Sequence, residues 1–196
     1  MHLFNINYSL TPNDLFAFVV GYLLLKVLCF AWIKSRPNRY HRYTRKQADK
    51  SLLKIRGIAN QNPDKALCYL RKIHPHVLEE LVLSAAENAG FKVRRNKAYT
   101  SDGGVDGQIL IGYEWYLVQT KRYSSAINAI HVTRFSELCN KQKQPGLFVH
   151  TGRTGRKSHI NKSATVYFIS GQKLIDLVLG KNLADAENRG NGAIAK

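Results

Sequence analysis

The chain has 196 residues, 44% of them hydrophobic, with 30 Lys and Arg against 13 Asp and Glu, for a net charge of +17. That length holds one domain with appendages, since domains cluster at about 100–150 residues, and the charge selects a polyanionic partner, either nucleic acid or an anionic membrane surface. Cys29, Cys68 and Cys139 form no CxxC or Cys/His cluster, which argues against zinc and for reduced thiols in an intracellular domain.

In chain order, the first element is LFAFVVGYLLLKVLCFAWI, Leu15 to Ile33, with Lys26 its single charge. A hydrocarbon core of ~30 Å requires about 20 apolar residues, so the run reads as a transmembrane helix after a short extracytoplasmic N-terminus, residues 1–14. A buried core helix is the alternative. Trp32 suits the interface, and KSRPNRYHRYTRK supplies a positive flank that stays cytoplasmic. The expected location is the inner, cytoplasmic membrane, single-pass, with the C-terminal domain inside. Residues 34–73 carry a net +10 and residues 74–179 a net +6. The first block is expected as a basic juxtamembrane linker and helix, its charge topogenic before it is DNA-binding. Within it, Asn62 can cap a short helix that Pro63 begins.

PHVLEELVLSAAENAG places Leu78, Leu81, Val82, Ala85 and Ala89 at helical spacing, with Gly90 as the stop. Glu80, Ser84, Glu87 and Asn88 fall on the outer side by this spacing. Glu79 is the glutamate aimed toward the body of the domain. FKVRR, VDGQILIGY and EWYLVQTKRY then read as strands, the last two joined by a tight turn near Gly112. SSAINAIHVTRFSELCNKQ is a helix at least in its second half and PGLFVH a buried strand. TGRTGRKSHINKSA is a glycine-rich loop leading into a basic helix, followed by the strand TVYFIS, the amphipathic helix GQKLIDLVLG, and a flexible tail, residues 181–196.

Side chains alternate along a strand, so Leu117, Gln119 and Lys121 share one face of EWYLVQTKRY, and Val118 and Thr120 the other. Gln119 and Lys121 either line a polar cleft or form an exposed edge protected by a lysine. Asp102 in DGG and Asp106 beside Gly107 are each turn residues or ligands. Thr151 to Thr154 form a small-residue loop before Arg156 and Lys157, with amides and cations suited to a phosphate or simply solvated. The loop lacks the Lys-Ser/Thr ending of a nucleotide-binding loop.

From Pro75 to Gly180 the set LEELV, GF, DGGVDGQI, YLVQTKRY and FVHTGRTG, in that order, resembles the Mrr-like branch of the PD-(D/E)xK nucleases. The resemblance implies an α/β restriction-endonuclease-like domain over residues 74–180, with a mixed central sheet flanked by helices. It also implies a type IV (Mrr-like) DNA endonuclease, a hydrolase of phosphodiester bonds dependent on Mg²⁺, with Mn²⁺ as a substitute. Its active site would comprise Asp106, Gln119 and Lys121, with Glu79 at the acidic position of the first helix. Gln119 stands where Glu is nominal, and Val105 where proline is nominal. Asp106, the Gln119 amide oxygen and the Thr120 carbonyl would hold the cation, and Lys121 would orient or deprotonate the attacking water. Arg122, Arg153, Arg156 and Lys157 would contact the DNA backbone. Cutting both strands would take two sites and hence a homodimer. The alternative is a catalytically inactive, membrane-tethered DNA-binding module for DNA transfer or recruitment.

Overall fold

The computed structural model describes residues 12–35, 39–96 and 104–181. The expectations for residues 1–11, for Asp102 and for the tail after Lys181 lie outside these. The chain divides into two compact units, the first ending at Pro37 and the second beginning at Asn38.

The first unit contains α1 (Pro12–Ser35), apolar on every side. Each described side chain from Leu15 to Phe30 is exposed. Among the described residues no helix is long and apolar enough to cross a membrane. The expected transmembrane helix is therefore not a feature of the structure.

The second unit begins with α2 (Arg39–Gln61), followed by α3 (Pro63–Leu70) and α4 (Pro75–Asn88). In α2, His41, Thr44, Ala48, Leu52, Ile55 and Ala59 are buried at steps of three and four, the period of one helix face. Arg39, Arg42, Lys46, Lys50 and Lys54 point to solvent. Of the two expectations for this segment, helix or linker, the structure shows a helix packed along α4. The start of α3 follows the sequence signals: Asn62 Oδ1 accepts from the Lys65 N–H at 3.0 Å and Pro63 takes the first position.

The outer side expected for α4 differs in the structure. Glu80 and Ser84 are buried because α2 lies against that side and Arg95 reaches across it. Arg95 Nε donates to Glu80 Oε2 at 3.0 Å and Nη2 to Glu87 Oε2 at 2.8 Å. Amphipathic spacing identifies the most apolar stripe of a helix and is blind to a second partner that buries a polar one.

Strands β1 (Lys92–Arg95), β2 (Gly107–Ile111), β3 (Glu114–Lys121), β4 (Gly146–His150) and β5 (Val166–Ile169) lie side by side in chain order. The first two pairings are antiparallel and the last two parallel. The parallel pairs require crossovers. These are α5 (Ala129–Gln142) between β3 and β4, and α6 (Arg156–Ile160) between β4 and β5, with α7 (Gly171–Val178) closing the chain. On one face of the sheet, Ile109, Val118, Leu147, Val149 and Ile169 pack in a core shared with α2, α3, α4 and α7. On the other, Leu117, Phe148 and Val166 pack with Val132, Phe135 and Cys139 of α5. The mixed sheet between helices agrees with the expected architecture.

Candidate active site

Strand β3 is the middle strand, bonded to β2 on one side and β4 on the other. Its polar end is therefore not an edge, and Gln119 is only 6% exposed, which eliminates the exposed-edge reading. Leu117 belongs to the core on the α5 side and Val118 to the core on the α4 side. By alternation Gln119 and Lys121 leave the sheet on the α5 side.

Asp106 immediately precedes β2. The antiparallel register pairs Gly107 with Val118, and the Asp106 N–H donates to the Val118 carbonyl at 2.8 Å. Asp106 and Gly107 therefore both face Val118, and the regular pairing of β2 with β3 ends at Gly107. Asp106 Oδ2 accepts from the Thr120 N–H, so Thr120 enters the site through its amide. Glu79 arrives from α4, and a small cleft lined by Glu79, Asp106, Glu80, Asn96 and Val105 has room for about one water molecule. The Asn96 side chain closes this cleft by donating to the Val105 carbonyl. Glu79, Asp106 and Lys121, distant in sequence, thus interact at one end of β2 and β3, and Gln119, two residues before Lys121 on β3, meets Gly104.

Electrostatics bind the group together. Burial raises the Glu79 carboxyl to about 8; the Asp106 charge raises it too, and the Lys121 ammonium opposes. Burial likewise raises Asp106 to about 7, against the hydrogen bond from the Thr120 backbone and the attraction of Lys121. Two carboxyls kept from ionising by desolvation and mutual repulsion favour a cation between them, which would reverse both effects. Gln119 provides the observation that tests whether such an ion fits. Its Nε2 donates to the Gly104 carbonyl, while its buried Oε1 has no hydrogen-bond partner. A buried amide oxygen without a partner costs about 1–3 kcal/mol, and a hard cation would satisfy it. Among the described residues no group of three or more His, Cys, Asp and Glu could hold a metal. The available donors are carboxylate and amide oxygens, the set preferred by a hard ion that retains several waters.

The four expected backbone contacts occupy the neighbouring loops. Lys121 pairs with His150 in the parallel register, which brings the loop after β4 alongside the end of β3. Arg122 is exposed and its Nη1 donates to the Arg71 carbonyl at 3.2 Å. Arg153 is exposed and its backbone bridges to Ala126. Arg156 and Lys157 are exposed at the start of α6, which has five residues. So short a helix sums few peptide dipoles, and these positions offer charge more than a dipole-assisted anion site.

Two supporting residues fall in FVHTGRTG, where the sequence assigned neither of them the role seen here. Thr151 Oγ1 accepts from the Tyr123 N–H at 2.9 Å and donates to the Tyr123 carbonyl at 2.8 Å, locking together the loops that follow β3 and β4. His150 is fully buried; its Nδ1 lies 3.2 Å from the Gly152 carbonyl and its Nε2 3.2 Å from Thr154 Oγ1. Only a protonated Nδ1 can donate to a carbonyl, so Nε2 is the acceptor in the neutral ring. The partners lie 28 residues apart in the first case and in an irregular loop in the second, beyond the reach of any period.

A family model, Mrr_cat, described as a restriction endonuclease, matches residues 70–178. Among solved structures the chain is similar to restriction endonuclease FokI at 16% identity and a TM-score of 0.45. That similarity covers 70% of this chain and 32% of the other, so the chain spans about a third of FokI. No curated protein matches the sequence.

Proposed function

The chain belongs to the Mrr_cat restriction endonuclease family, and on that premise we propose that it hydrolyses phosphodiester bonds in DNA with a hard divalent cation, Mg²⁺ or Mn²⁺ in its place. The observation that supports this reading is the interaction of Glu79, Asp106 and Lys121 at one end of the sheet, with Gln119 two residues before Lys121 and its Oε1 buried and unpartnered. Asp106 and the Gln119 amide oxygen would hold the ion, with the Thr120 carbonyl and Glu79 directly or through water. When bound, the ion lowers the pKa of a coordinated water and neutralises charge on the phosphate.

The chain's own groups do the rest. Lys121 holds the attacking water in line with the phosphorus and stabilises the negative charge that grows on the phosphate oxygens. As the water oxygen bonds to phosphorus, its proton passes to solvent, and the bond to the leaving sugar oxygen breaks as that oxygen takes up a proton from solvent. Arg122, Arg153, Arg156 and Lys157 hold the flanking phosphates, a salt-dependent contribution without sequence preference. Cleavage of both strands would use two copies of the chain.

The test is cleavage of plasmid DNA by the purified 196-residue chain, with Mg²⁺ and with EDTA. Nicking or cutting is expected with Mg²⁺ alone, and Lys121→Ala should lower the rate at least ~100-fold. Equal activity in that variant would place the chemistry elsewhere. The amide of Gln119 in place of a carboxylate favours one alternative, a tethered DNA-binding module without turnover. It would show salt-dependent affinity that Asp106→Ala leaves intact, and no cleavage by the unaltered chain.

Attachment to the cytoplasmic face of a membrane is a separate element of the proposal. It is supported by the sequence run Leu15–Ile33 and by the exposure of the described apolar side chains of α1. Recovery of the chain in the soluble fraction of cells, unchanged by deletion of residues 1–37, would refute it.

A further inference from the structure

Resting on the cation-dependent reading above, we infer that Gly104 is a positioning residue of the site, its main-chain carbonyl selecting which end of the Gln119 amide is offered to the ion. The Gln119 side chain is buried, so its rotation is not averaged by solvent. Nε2 donates to the Gly104 carbonyl, and Oε1 is left buried without a partner. A carbonyl accepts and never donates, so the opposite orientation would set two acceptor oxygens against each other and leave the NH₂ group facing the cation. The Gly104 carbonyl therefore excludes the orientation that would repel the metal.

The position must be glycine for two reasons. Its φ is +97°, a region that side-chain-bearing residues rarely adopt. A Cβ at residue 104 would also lie 2.5 Å from Gln119 Nε2, so any side chain would displace the amide it is meant to hold. Gly112 separates these effects. It also has a positive φ, +60°, in the turn between β2 and β3, but a Cβ there meets nothing within 4 Å.

One consequence runs against charge alone. A glutamate at position 119 would bring a second negative charge to the ion, yet its carboxylate has no hydrogen to give Gly104, and its inner oxygen would face the carbonyl oxygen. Within this site the amide is the matched ligand and not a weakened acid. Gln119→Glu should therefore bind a divalent cation more weakly than the unaltered chain.

The experiment is a Mn²⁺ titration of the 196-residue chain at pH 7.5, following free Mn²⁺ by electron paramagnetic resonance, with far-UV circular dichroism as the fold control. Gly104→Ala and Gln119→Glu should each weaken Mn²⁺ at least ~10-fold, the range found when groups orienting metal ligands are removed. Gly112→Ala should leave it unchanged, and the double variant Gly104→Ala/Gln119→Glu should lose little beyond either single change. Gln119→Glu binding as tightly as the unaltered chain, or more tightly, overturns the inference while the cation reading stands. So does a Gly104→Ala variant that matches Gly112→Ala. Should Gly104→Ala not fold, Gln119→Glu decides alone. If the unaltered chain binds no Mn²⁺, the cation reading falls and this inference with it.

Discussion

Three ionisable side chains, Glu79 and Asp106 partly buried and His150 fully buried, give the domain opposing responses to pH. Glu79 and Asp106 are raised from ordinary carboxyl values of 4.5 and 3.8 to about 8 and about 7. Between those limits the folded chain binds more protons than the unfolded one, so these groups make stability fall as pH rises. His150 does the reverse. Burial lowers it from 6.5 to about 4, so below about pH 6.5 the unfolded chain takes up a proton that the native chain refuses. Its contribution is lost as pH falls from 6.5 toward 4. Above pH 6.5 only the carboxyls act. Thermal melts in EDTA should show a midpoint that declines from about pH 6.5 to 8, with Asp106→Asn flattening the decline. His150→Asn should flatten the acid limb and leave the alkaline one unchanged. A stability profile with no alkaline decline would mean that the two carboxyls are better solvated than their burial indicates.

Between elements, the register of α4 against β1 and β2 sets where Glu79 meets Asp106. Arg95 forms one clamp: beyond its bonds to Glu80 and Glu87, its Nη2 donates to Ser84 Oγ at 3.2 Å. Glu80 is only 4% exposed. Removing Arg95 takes the guanidinium from a buried carboxylate that keeps the His41 ring at 3.4 Å, so Arg95→Ala should cost about 3 kcal/mol in urea unfolding. Arg95→Lys should recover little of it, because an ammonium cannot reproduce the guanidinium fork. Gly107 forms the second clamp. A Cβ there would lie 2.7 Å from the Arg94 carbonyl and 2.9 Å from Leu83 Cδ1, so a side chain would push α4 off the sheet. Gly107→Ala should cost about 1–3 kcal/mol, and because α4 carries Glu79, cleavage should fall along with stability.

For the molecule as a unit, the decisive feature is α2. The compact unit begins at Asn38, and Leu52, Ile55 and Ala59 of α2 share a core with Leu78 and Leu81 of α4. A chain starting at residue 38 should melt cooperatively. One starting at residue 74, where the sequence resemblance begins, should expose that side of α4 and melt without a sharp transition. A cooperative melt of the shorter fragment would show that α2 is an accessory to the fold. The net charge of +10 in residues 34–73 accordingly lies largely on the surface of the domain, where α2 presents its arginines and lysines to solvent.

Local order in the chain was enough to identify every strand of the sheet, the cap of α3, the span of α4 and the sequence of polar residues Asp106, Gln119 and Lys121. These depend on periods of two and 3.6 residues and on turn chemistry, all expressed within a few neighbours. The burial of Glu80 and Ser84, the central place of β3, the membership of α2 in the core, the lock between Thr151 and Tyr123 and the orientation of the Gln119 amide were not legible there. Each depends on which distant surface arrives to cover a given side. A period states that a face is apolar or polar; the packing of α2 over α4 and of Gly104 against Gln119 settles whether that face meets water or another part of the chain.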